Sequence, residues 1–311
     1  MSPPALEALL ERARRLSWHH HGRRLTIATP GMFVAYGRRG RYPAVSLTGT
    51  RCEQACDHCR GRLLETMLPA SDPRQLIETA RRLQARGQEG MLISGGNDPQ
   101  GRLPWNRFLP AIAQIARTTR LTLTAHVARL DPPTARALKA AGVRQALVDV
   151  VGDPQTARQV LHLPDGLAAQ AQTLAACQQA GLEIVPHIIL GLHRGRMRGE
   201  EQALETVARL PVTRVVFVVF MPLKHTPLAD CPPPEPEEAA RFLATARLRL
   251  PRAQHHLGCA RPRGPYRQRL DALAVRAGIN ALAIPSDAAL DTARELGVDI
   301  AYRDTCCSLV T

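Results

Sequence analysis

Short apolar runs alternate with amphipathic helical stretches along most of the 311 residues, and this alternation constrains the fold more than any other feature of the sequence. Repeated strand–helix units form parallel sheets, because a crossover helix is needed before the next strand can run in the same direction. Eight such units predict an α/β fold, a (β/α)8 barrel of the TIM type. The predicted strands span 44–47, 90–94, 121–125, 146–150, 183–190, 212–220, 255–259 and 279–284.

The helices predicted between these strands begin and end with local signals. Asp72 and Asp131 each precede a proline, so the carboxylate can cap the helix while proline takes the first turn. Glycine closes many of them, because it adopts the left-handed conformation of a helix end without strain. The predicted helices span 72–86, 104–117, 133–141, 166–180, 200–210, 235–250, 266–277 and 287–296.

A single domain is expected to account for the whole chain. Residues 1–42 predict an N-terminal helix followed by a small hairpin over 23–36, where apolar and polar residues alternate. Residues 43–311 hold the barrel and a cysteine-bearing C-terminal tail. One barrel domain of this length is ordinary.

The net charge of +14 comes almost entirely from arginine, since Lys139 and Lys224 are the only lysines. A GC-rich genome produces such a composition, and a positive field also attracts acidic partners. Aromatic residues make up only 4% and no RNA-binding motif is visible, so an acidic protein partner is favoured over a nucleic acid. The longest apolar run, 215–223, is too short to cross a bilayer, and no N-terminal signal is visible. Together these features predict a cytoplasmic protein without a membrane partner.

Cys52, Cys56 and Cys59 form a C-x3-C-x2-C run directly after the first predicted strand. Three thiolates can hold three irons of a [4Fe–4S] cube and leave the fourth iron open to an exchangeable ligand. A structural zinc site would need four ligands, usually as two C-x2-C arms, and the sequence has no second arm. Because barrel active sites lie at the carboxyl ends of the strands, the run falls on the expected face.

This cysteine run resembles the cluster motif of the radical S-adenosylmethionine (SAM) enzymes. The resemblance implies that SAM chelates the open iron and that one electron cleaves it to a 5′-deoxyadenosyl radical, which removes hydrogen from an unactivated carbon. It also implies SAM-binding positions beside the cluster and after the second and fifth strands, with no catalytic side chain assigned. These positions are His58, Gly95, Gly96, Asn97, Gly191 and Leu192.

The chain departs from the family pattern at two of these positions. Asn97 stands where many members have a glutamate that binds the methionyl amino group. Pro186 or His187 replaces the first glycine of the Gly-x-Ile-x-Gly element beside adenine. His126 and Asp149 end the third and fourth predicted strands, where they either face SAM or substrate or are ordinary residues of the barrel rim.

The other cysteines divide into a core residue and a candidate second site. Cys177 lies mid-helix beside alanines and is most simply a core residue. The rest of the candidate ligands lie at the end of the seventh strand and near the C-terminus, where packing explains two adjacent cysteines poorly. They predict an auxiliary [4Fe–4S] cluster, and reduced free thiols are the alternative. The candidate ligands are Cys259, Cys306 and Cys307, with Ser308 or Cys231 as the fourth.

From residue 43 to residue 309 the chain is similar to the split, two-protein type of lipoyl synthase. Biotin synthase is a more distant comparison, because its auxiliary cysteines lie on barrel strands and the third to fifth strands here have none. The shared motifs are Ser-x-Thr-Gly-Thr-x-Cys (46–52), His-Cys-x-Gly-x-Leu-Leu-Glu (58–65), Ser-Gly-Gly (94–96), Gly-Cys-Ala-Arg-Pro-Arg-Gly (258–264), Ala-Gly-Ile-Asn (277–280) and Cys-Cys-Ser (306–308).

This resemblance implies sulfur insertion into an octanoyl chain carried on a lysine of a lipoyl-carrier domain. It implies a sister radical SAM protein, an electron donor such as ferredoxin or flavodoxin, and the auxiliary cluster as sulfur source. Arg261 and Arg263, beside Cys259, are candidates for anchoring SAM or orienting that cluster. Two other classes stay open. One is a radical SAM enzyme with different chemistry, such as biotin-synthase-like insertion or a maturase, and the other is a non-catalytic iron–sulfur partner.

Overall fold

The computed structural model describes residues 3–31 and 33–310, and within them thirteen strands. Eleven strands form one sheet, in the order β13-β1-β12-β11-β10-β9-β8-β7-β6-β4-β5, and β2 and β3 form a separate antiparallel hairpin. The strands are β1 (Arg24–Ala28), β2 (Val34–Ala35), β3 (Arg38–Arg39), β4 (Ala44–Ser46), β5 (Leu68–Pro69), β6 (Gly90–Ser94), β7 (Thr122–His126), β8 (Gln145–Asp149), β9 (Glu183–Leu190), β10 (Arg214–Val219), β11 (Gln254–Leu257), β12 (Ala281–Ala283) and β13 (Asp299–Arg303).

All pairings within the large sheet are parallel, and β4 with β6 to β12 are the eight predicted strands. The sheet curls until Arg41, before β4, donates its backbone N–H to the carbonyl of Asp304, after β13, at 2.6 Å. The predicted α/β barrel of the TIM type is therefore confirmed as a curled parallel sheet with edge strands β13 and β5.

The described helices alternate with these strands as expected. Asp72 accepts hydrogen bonds from the backbone N–H groups of Arg74 and Gln75 and so caps the helix that begins at Pro73. Asp131 caps the helix that begins at Pro132 by accepting from the backbone N–H of Thr134. The helices are α1 (Pro3–His21), α2 (Pro73–Ala85), α3 (Trp105–Thr118), α4 (Pro132–Ala140), α5 (Pro154–Gln159), α6 (Gly166–Gln179), α7 (Glu200–Ala208), α8 (Pro236–Arg249), α9 (Pro265–Arg276) and α10 (Asp287–Glu295). None of these helices is both long and apolar enough to cross a bilayer.

The hairpin predicted over 23–36 is wrong for its first part. Arg24–Ala28 is the parallel strand β1, which lies between β12 and β13 and is buried along four of its five residues. The hairpin lies later in the chain, with Val34 opposite Arg39. Alternation of apolar and polar residues identifies a strand but not its partner, and here the partners lie far along the chain.

The C-terminal tail after β13 turns into the barrel lumen. Residues Cys307–Leu309 form a short 3-10 helix that contacts β10, β11 and β12. Cys307, Ser308 and Val310 are almost completely buried, at 4%, 0% and 2% exposure. The tail therefore fills part of the space inside the sheet, whereas two larger apolar cores lie between the sheet and the helices around it.

Candidate active site

The loop after β4 carries Cys52, Cys56 and Cys59 and is wound tightly by residues in the left-handed conformation, Ala55 and Arg60. Cys56 Sγ donates to the Leu161 carbonyl at 3.7 Å. The neighbouring Cys56 thiol, followed by the imidazole of His58, lowers the pKa of the Cys59 thiol to about 4, whereas Cys59 and burial raise the pKa of Cys56. One thiol is thus a thiolate at neutral pH, the form in which cysteine binds metal.

The loop after β6 supports one side of this cysteine loop. The Asn97 carbonyl accepts hydrogen bonds from the backbone N–H groups of Glu53 (2.8 Å) and Gln54 (3.1 Å). A Cβ at Gly96 would lie 2.0 Å from the Arg51 carbonyl oxygen and 2.6 Å from the Cys52 Cα, so only glycine allows this approach. The contact supports the cluster loop itself, and SAM binding by Gly95, Gly96 and Asn97 stays a prediction.

The segment between α5 and α6 supports the other side. The backbone N–H of Asp57 donates to the Val160 carbonyl (2.9 Å), and Gln54 Nε2 donates to the Leu161 carbonyl (2.8 Å). The ring nitrogens of His162 lie 3.1 Å from the Gln54 carbonyl and 3.1 Å from Asp57 Oδ1. No local pattern in the sequence signals this support, because it comes from a segment about a hundred residues later.

His126 and Asp149, at the ends of β7 and β8, pair with each other across 3.3 Å. Burial disfavours the charged form of both groups, but the attraction between the two opposite charges is stronger. The pKa of His126 is therefore raised, and the pKa of Asp149 is lowered to about 2. The ring of His187, on β9, meets the ring of His126 edge to face at 5.7 Å. Burial and the charge of His126 lower the pKa of His187 to about 4, so this histidine is neutral.

His58 connects this polar group to the cysteine loop. Burial alone would lower its pKa, but the Cys59 thiolate and the Asp149 carboxylate raise it. Its Nδ1 atom is buried and has no hydrogen-bond partner among the described residues. His58, Asp149 and His126 therefore line one side of the lumen with ionisable groups, and Asp149 raises the pKa of both histidines. The sequence names His58 as a candidate SAM-binding residue and leaves His126 and Asp149 open between the site and the barrel rim, while His187 enters only as a substitute for glycine.

The tail brings the second set of cysteines together. Ser308 Oγ donates to Cys306 Sγ at 3.3 Å, and Cys259, Cys306 and Cys307 pack in one apolar cluster inside the sheet. The neighbouring Cys307 thiol, followed by Ser308, lowers the pKa of Cys306 to about 6, while burial raises the pKa of Cys259 to about 11. The pattern repeats that of the first loop, with one acidic thiol beside a thiol of raised pKa.

Two other cysteines lie away from this site. Cys231 packs with Val160, Leu192 and Phe220 in an apolar cluster separate from that of Cys259, Cys306 and Cys307, which favours Ser308 over Cys231 as the fourth ligand. Cys177 is fully buried in the core around α6, where burial raises its pKa to about 12. It is a core residue, as the sequence indicated.

Arg261 cannot anchor SAM, because all five of its N–H groups are already used within the protein. It is completely buried and forms an ion pair with Asp271 at 2.7 Å. Its role is to tie the loop that carries Cys259 to the segment after β12. Arg263 is exposed. The acceptors around Arg261 are both carboxylate oxygens of Asp271 and the carbonyls of Gly258, Ala283 and Ile284.

Gly191 and Leu192 follow β9 on the same edge of the sheet. Gly191 has φ of +75° and donates its N–H to Glu200 Oε1 at 2.8 Å. Leu192 is 3% exposed and packs in the apolar cluster with Cys231. These contacts shape the loop, and a contact of either residue with adenine stays a prediction.

Within residues 3–31 and 33–310, no three His, Cys, Asp or Glu side chains converge closely enough to hold a single metal ion. An iron–sulfur cube spreads its ligands more widely than one ion does. Three thiols with one thiolate, in a loop supported from both sides, fit such a cube. The buried, unpartnered Nδ1 of His58 lies beside it.

The fold and this loop define a class of protein. The family model for the radical SAM superfamily matches residues 46–219, more than half of the chain, and the chain belongs to this superfamily. The protein is accordingly a radical SAM enzyme. Membership of this superfamily implies a [4Fe–4S] cluster and SAM as cofactors.

Among particular relatives, the chain is 26% identical to the biotin synthase of Pelotomaculum thermopropionicum over 286 residues, which cover 90% of this chain and 83% of that protein. It is 32% identical to the biotin synthase of Desulforudis audaxviator over 205 residues, covering 64% of this chain and 60% of that protein.

Two solved structures share the fold. Methylornithine synthase superposes with a TM-score of 0.68 at 16% identity, covering 98% of this chain and 91% of that one. HydG, a maturase of the [FeFe]-hydrogenase, also gives 0.68, at 13% identity, covering 96% of this chain and 69% of that one.

Proposed function

We propose that this radical SAM enzyme inserts sulfur into a protein-bound octanoyl chain, as one half of a two-protein lipoyl synthase. One observation carries the proposal: both cysteine sets converge on a single lumen. His58 and Asp149 lie within electrostatic range of each other, and Asp149 pairs with His126. His126 in turn lies close enough to Cys306 for each to shift the pKa of the other. A substrate carbon in this lumen would be near both sites.

The residues of the chain have distinct tasks in this proposal. Cys52, Cys56 and Cys59 would hold the SAM-binding cluster, and Cys259, Cys306 and Cys307 with Ser308 would hold the auxiliary cluster. When bound, the two clusters supply the electron that cleaves SAM and the sulfide that is inserted. The His126–Asp149 pair would hold a fixed charge distribution on the side of the lumen formed by β7 and β8. The buried tail would exclude water from the interior of the sheet.

Two lines of evidence support sulfur insertion and this substrate. The relatives named biotin synthase support insertion of sulfur as the class of reaction. The positions of the second cysteines favour the lipoyl resemblance over biotin synthase, because β7, β8 and β9 contain no cysteine and the tail supplies two. The net charge of +14 suits an acidic carrier domain and an acidic electron donor.

A second candidate is sulfur insertion into a small molecule, and a specific observation favours it. The biotin synthase of Pelotomaculum thermopropionicum aligns with 90% of the chain. A radical SAM enzyme of maturase type has the weaker support of a shared fold at 13% identity.

The deciding experiment is the intact mass of an octanoylated carrier domain after anaerobic incubation with the reconstituted protein, SAM and a reductant. It is run with and without the sister protein, and a parallel reaction contains a sulfur-free precursor of biotin. A gain of one sulfur on the carrier supports the proposal, and fragmentation identifies the carbon. If 5′-deoxyadenosine forms and only the small molecule gains sulfur, the second candidate replaces the first. If neither gains sulfur, both fail.

A further inference from the structure

The tail inside the lumen contains only one short 3-10 turn, so most of its buried main-chain carbonyls must find partners outside the tail and away from water. His256 Nδ1 donates to the Cys307 carbonyl at 2.6 Å. Arg214 Nη1 donates to the carbonyls of Ser308 at 2.9 Å and Val310 at 3.0 Å. One arginine therefore holds the tail on the C-terminal side of both tail cysteines.

Arg214 is itself in an environment that requires such acceptors. It is the first residue of β10, and its side chain is only 8% exposed. Among residues 3–31 and 33–310, its carboxylate partner is Glu183, which lies 3.4 Å away and also accepts a hydrogen bond from Gln145 Nε2. A buried guanidinium is costly unless its N–H groups are satisfied. Since the tail carbonyls provide two of the acceptors, withdrawal of the tail would leave the charge poorly solvated.

We infer that Arg214 is a positioning residue that locks the C-terminal tail into the lumen and thereby brings Cys306 and Cys307 to Cys259. Without this lock, the tail would keep only the His256 bond to the Cys307 carbonyl and the packing of Cys307 and Val310 among its described contacts inside the sheet. The consequence for the auxiliary cluster rests on the proposed function, whereas the placement of the thiols does not.

The test measures thiol reactivity in the reduced, cluster-free protein. Each cysteine is followed by mass spectrometry during alkylation with iodoacetamide, with the core residue Cys177 as the internal reference. Arg214→Gln should raise the alkylation rate of Cys306 and Cys307 about tenfold or more, because hydrogen bonds to a charged group are lost. The Cys52 rate should stay within about twofold of the wild type. Arg214→Lys keeps the positive charge and can donate a hydrogen bond to one of the two tail carbonyls. It should therefore restore part of the protection of Cys306 and Cys307 from alkylation.

Arg144→Gln is the matched control. Arg144 is an exposed arginine that also faces Glu183, at 3.8 Å, but does not touch the tail. This variant should leave the reactivity of both tail thiols unchanged. Equal rates for Arg214→Gln, Arg144→Gln and the wild type would overturn the inference.

A second variant covers the case in which Arg214→Gln does not fold, which faster alkylation of Cys177 would reveal. Val310→Ala removes the packing of the chain end and leaves Arg214 with both carbonyl acceptors. Cys306 and Cys307 should then stay within about twofold of their wild-type alkylation rates, and exposure of both thiols in the folded Val310→Ala protein would contradict the inference, because packing rather than Arg214 would then hold the tail.

Iron analysis after anaerobic reconstitution connects the lock to the cluster. The wild type should bind near eight irons per chain and Arg214→Gln near four, with the SAM-binding cluster retained. If the wild type itself binds near four, the auxiliary cluster of the proposed function fails, while the alkylation result still decides the role of Arg214.

Discussion

The cysteine loop after β4 and the C-terminal tail both place thiols in the lumen, but different contacts hold them there. The loop is bound largely through its own backbone, with Asn97 on one side and Val160 on the other, and the side chains of Gln54 and His162 add to these contacts. The tail is bound by side chains of the strands that it packs against, chiefly Arg214 of β10 and His256 of β11. Backbone contacts within neighbouring loops form whenever the barrel forms. The tail site depends in addition on the docking of a chain end.

The largest expected effect separates the two sites by function. Cys56→Ala should abolish 5′-deoxyadenosine formation, because the SAM-binding cluster loses a ligand. Cys306→Ala should retain 5′-deoxyadenosine formation and lose sulfur insertion, and each variant should bind about four fewer irons per chain. Chromatography of the nucleoside and iron analysis measure both results. If Cys306→Ala also abolished the nucleoside, the two sites would not be separable.

The next effect tests the backbone support of the loop. Gly96→Ala introduces a Cβ within 2.0 Å of the Arg51 carbonyl oxygen, so the cysteine loop must move and about half of the bound iron should be lost. Gly181→Ala is the control, since Gly181 has φ of +67° and open space around it. It should cost about 1 kcal/mol of stability through backbone strain and retain the iron. Full iron content in Gly96→Ala would show that the loop tolerates the shift.

A third effect concerns the support of Cys259. Arg261→Met breaks a fully buried ion pair and should lower the free energy of unfolding by about 3–5 kcal/mol, because Asp271 is left as an uncompensated buried charge. Arg263→Met, on the exposed side of the same loop, should change it by less than about 0.5 kcal/mol. Urea titration measures the stability of both variants. Equal stability would show that the Arg261–Asp271 ion pair does not hold the Cys259 loop in place.

The smallest effect is a pH dependence of the polar group between the sites. The pKa of Asp149 is lowered to about 2, so its contribution is present above its ordinary value of 3.8 and lost as the pH falls toward 2. The pKa of His126 is raised, so its contribution is complete below its ordinary value of 6.5 and lost as the pH rises through the raised value.

Asp149→Asn should therefore destabilise the protein most between about pH 4 and 6.5. The difference should stay below about 1 kcal/mol, because the side chains of His126 and Asp149 keep 31% and 41% of their exposure and water screens the pair. Urea titrations of wild type and variant at about pH 3, 5.5 and 8.5 measure it. A difference that does not vary with pH would show that the ion pair contributes nothing.

Much of the barrel was predictable because its signals are local. Apolar runs located all eight barrel strands, and Asp–Pro pairs located helix starts such as those at Asp72 and Asp131. β1 was assigned to a hairpin and β13 was missed. β13 is an edge strand of the sheet and β1 is its neighbour. Their pairing joins residues 24–28 to residues 299–303. A pattern within one segment holds no information on such a partner.

The sequence by itself determined the order of strands and helices and the spacing of Cys52, Cys56 and Cys59, because propensity, capping and ligand spacing act over a few residues. Only the tertiary structure decided that the tail enters the lumen and that Arg261 holds the Cys259 loop through a buried ion pair. It also decided that His187, Arg214 and His256 belong to the site. The reason is physical. Buried charges and carbonyls must be satisfied by whichever groups the closed sheet brings near them, and those groups come from distant parts of the chain.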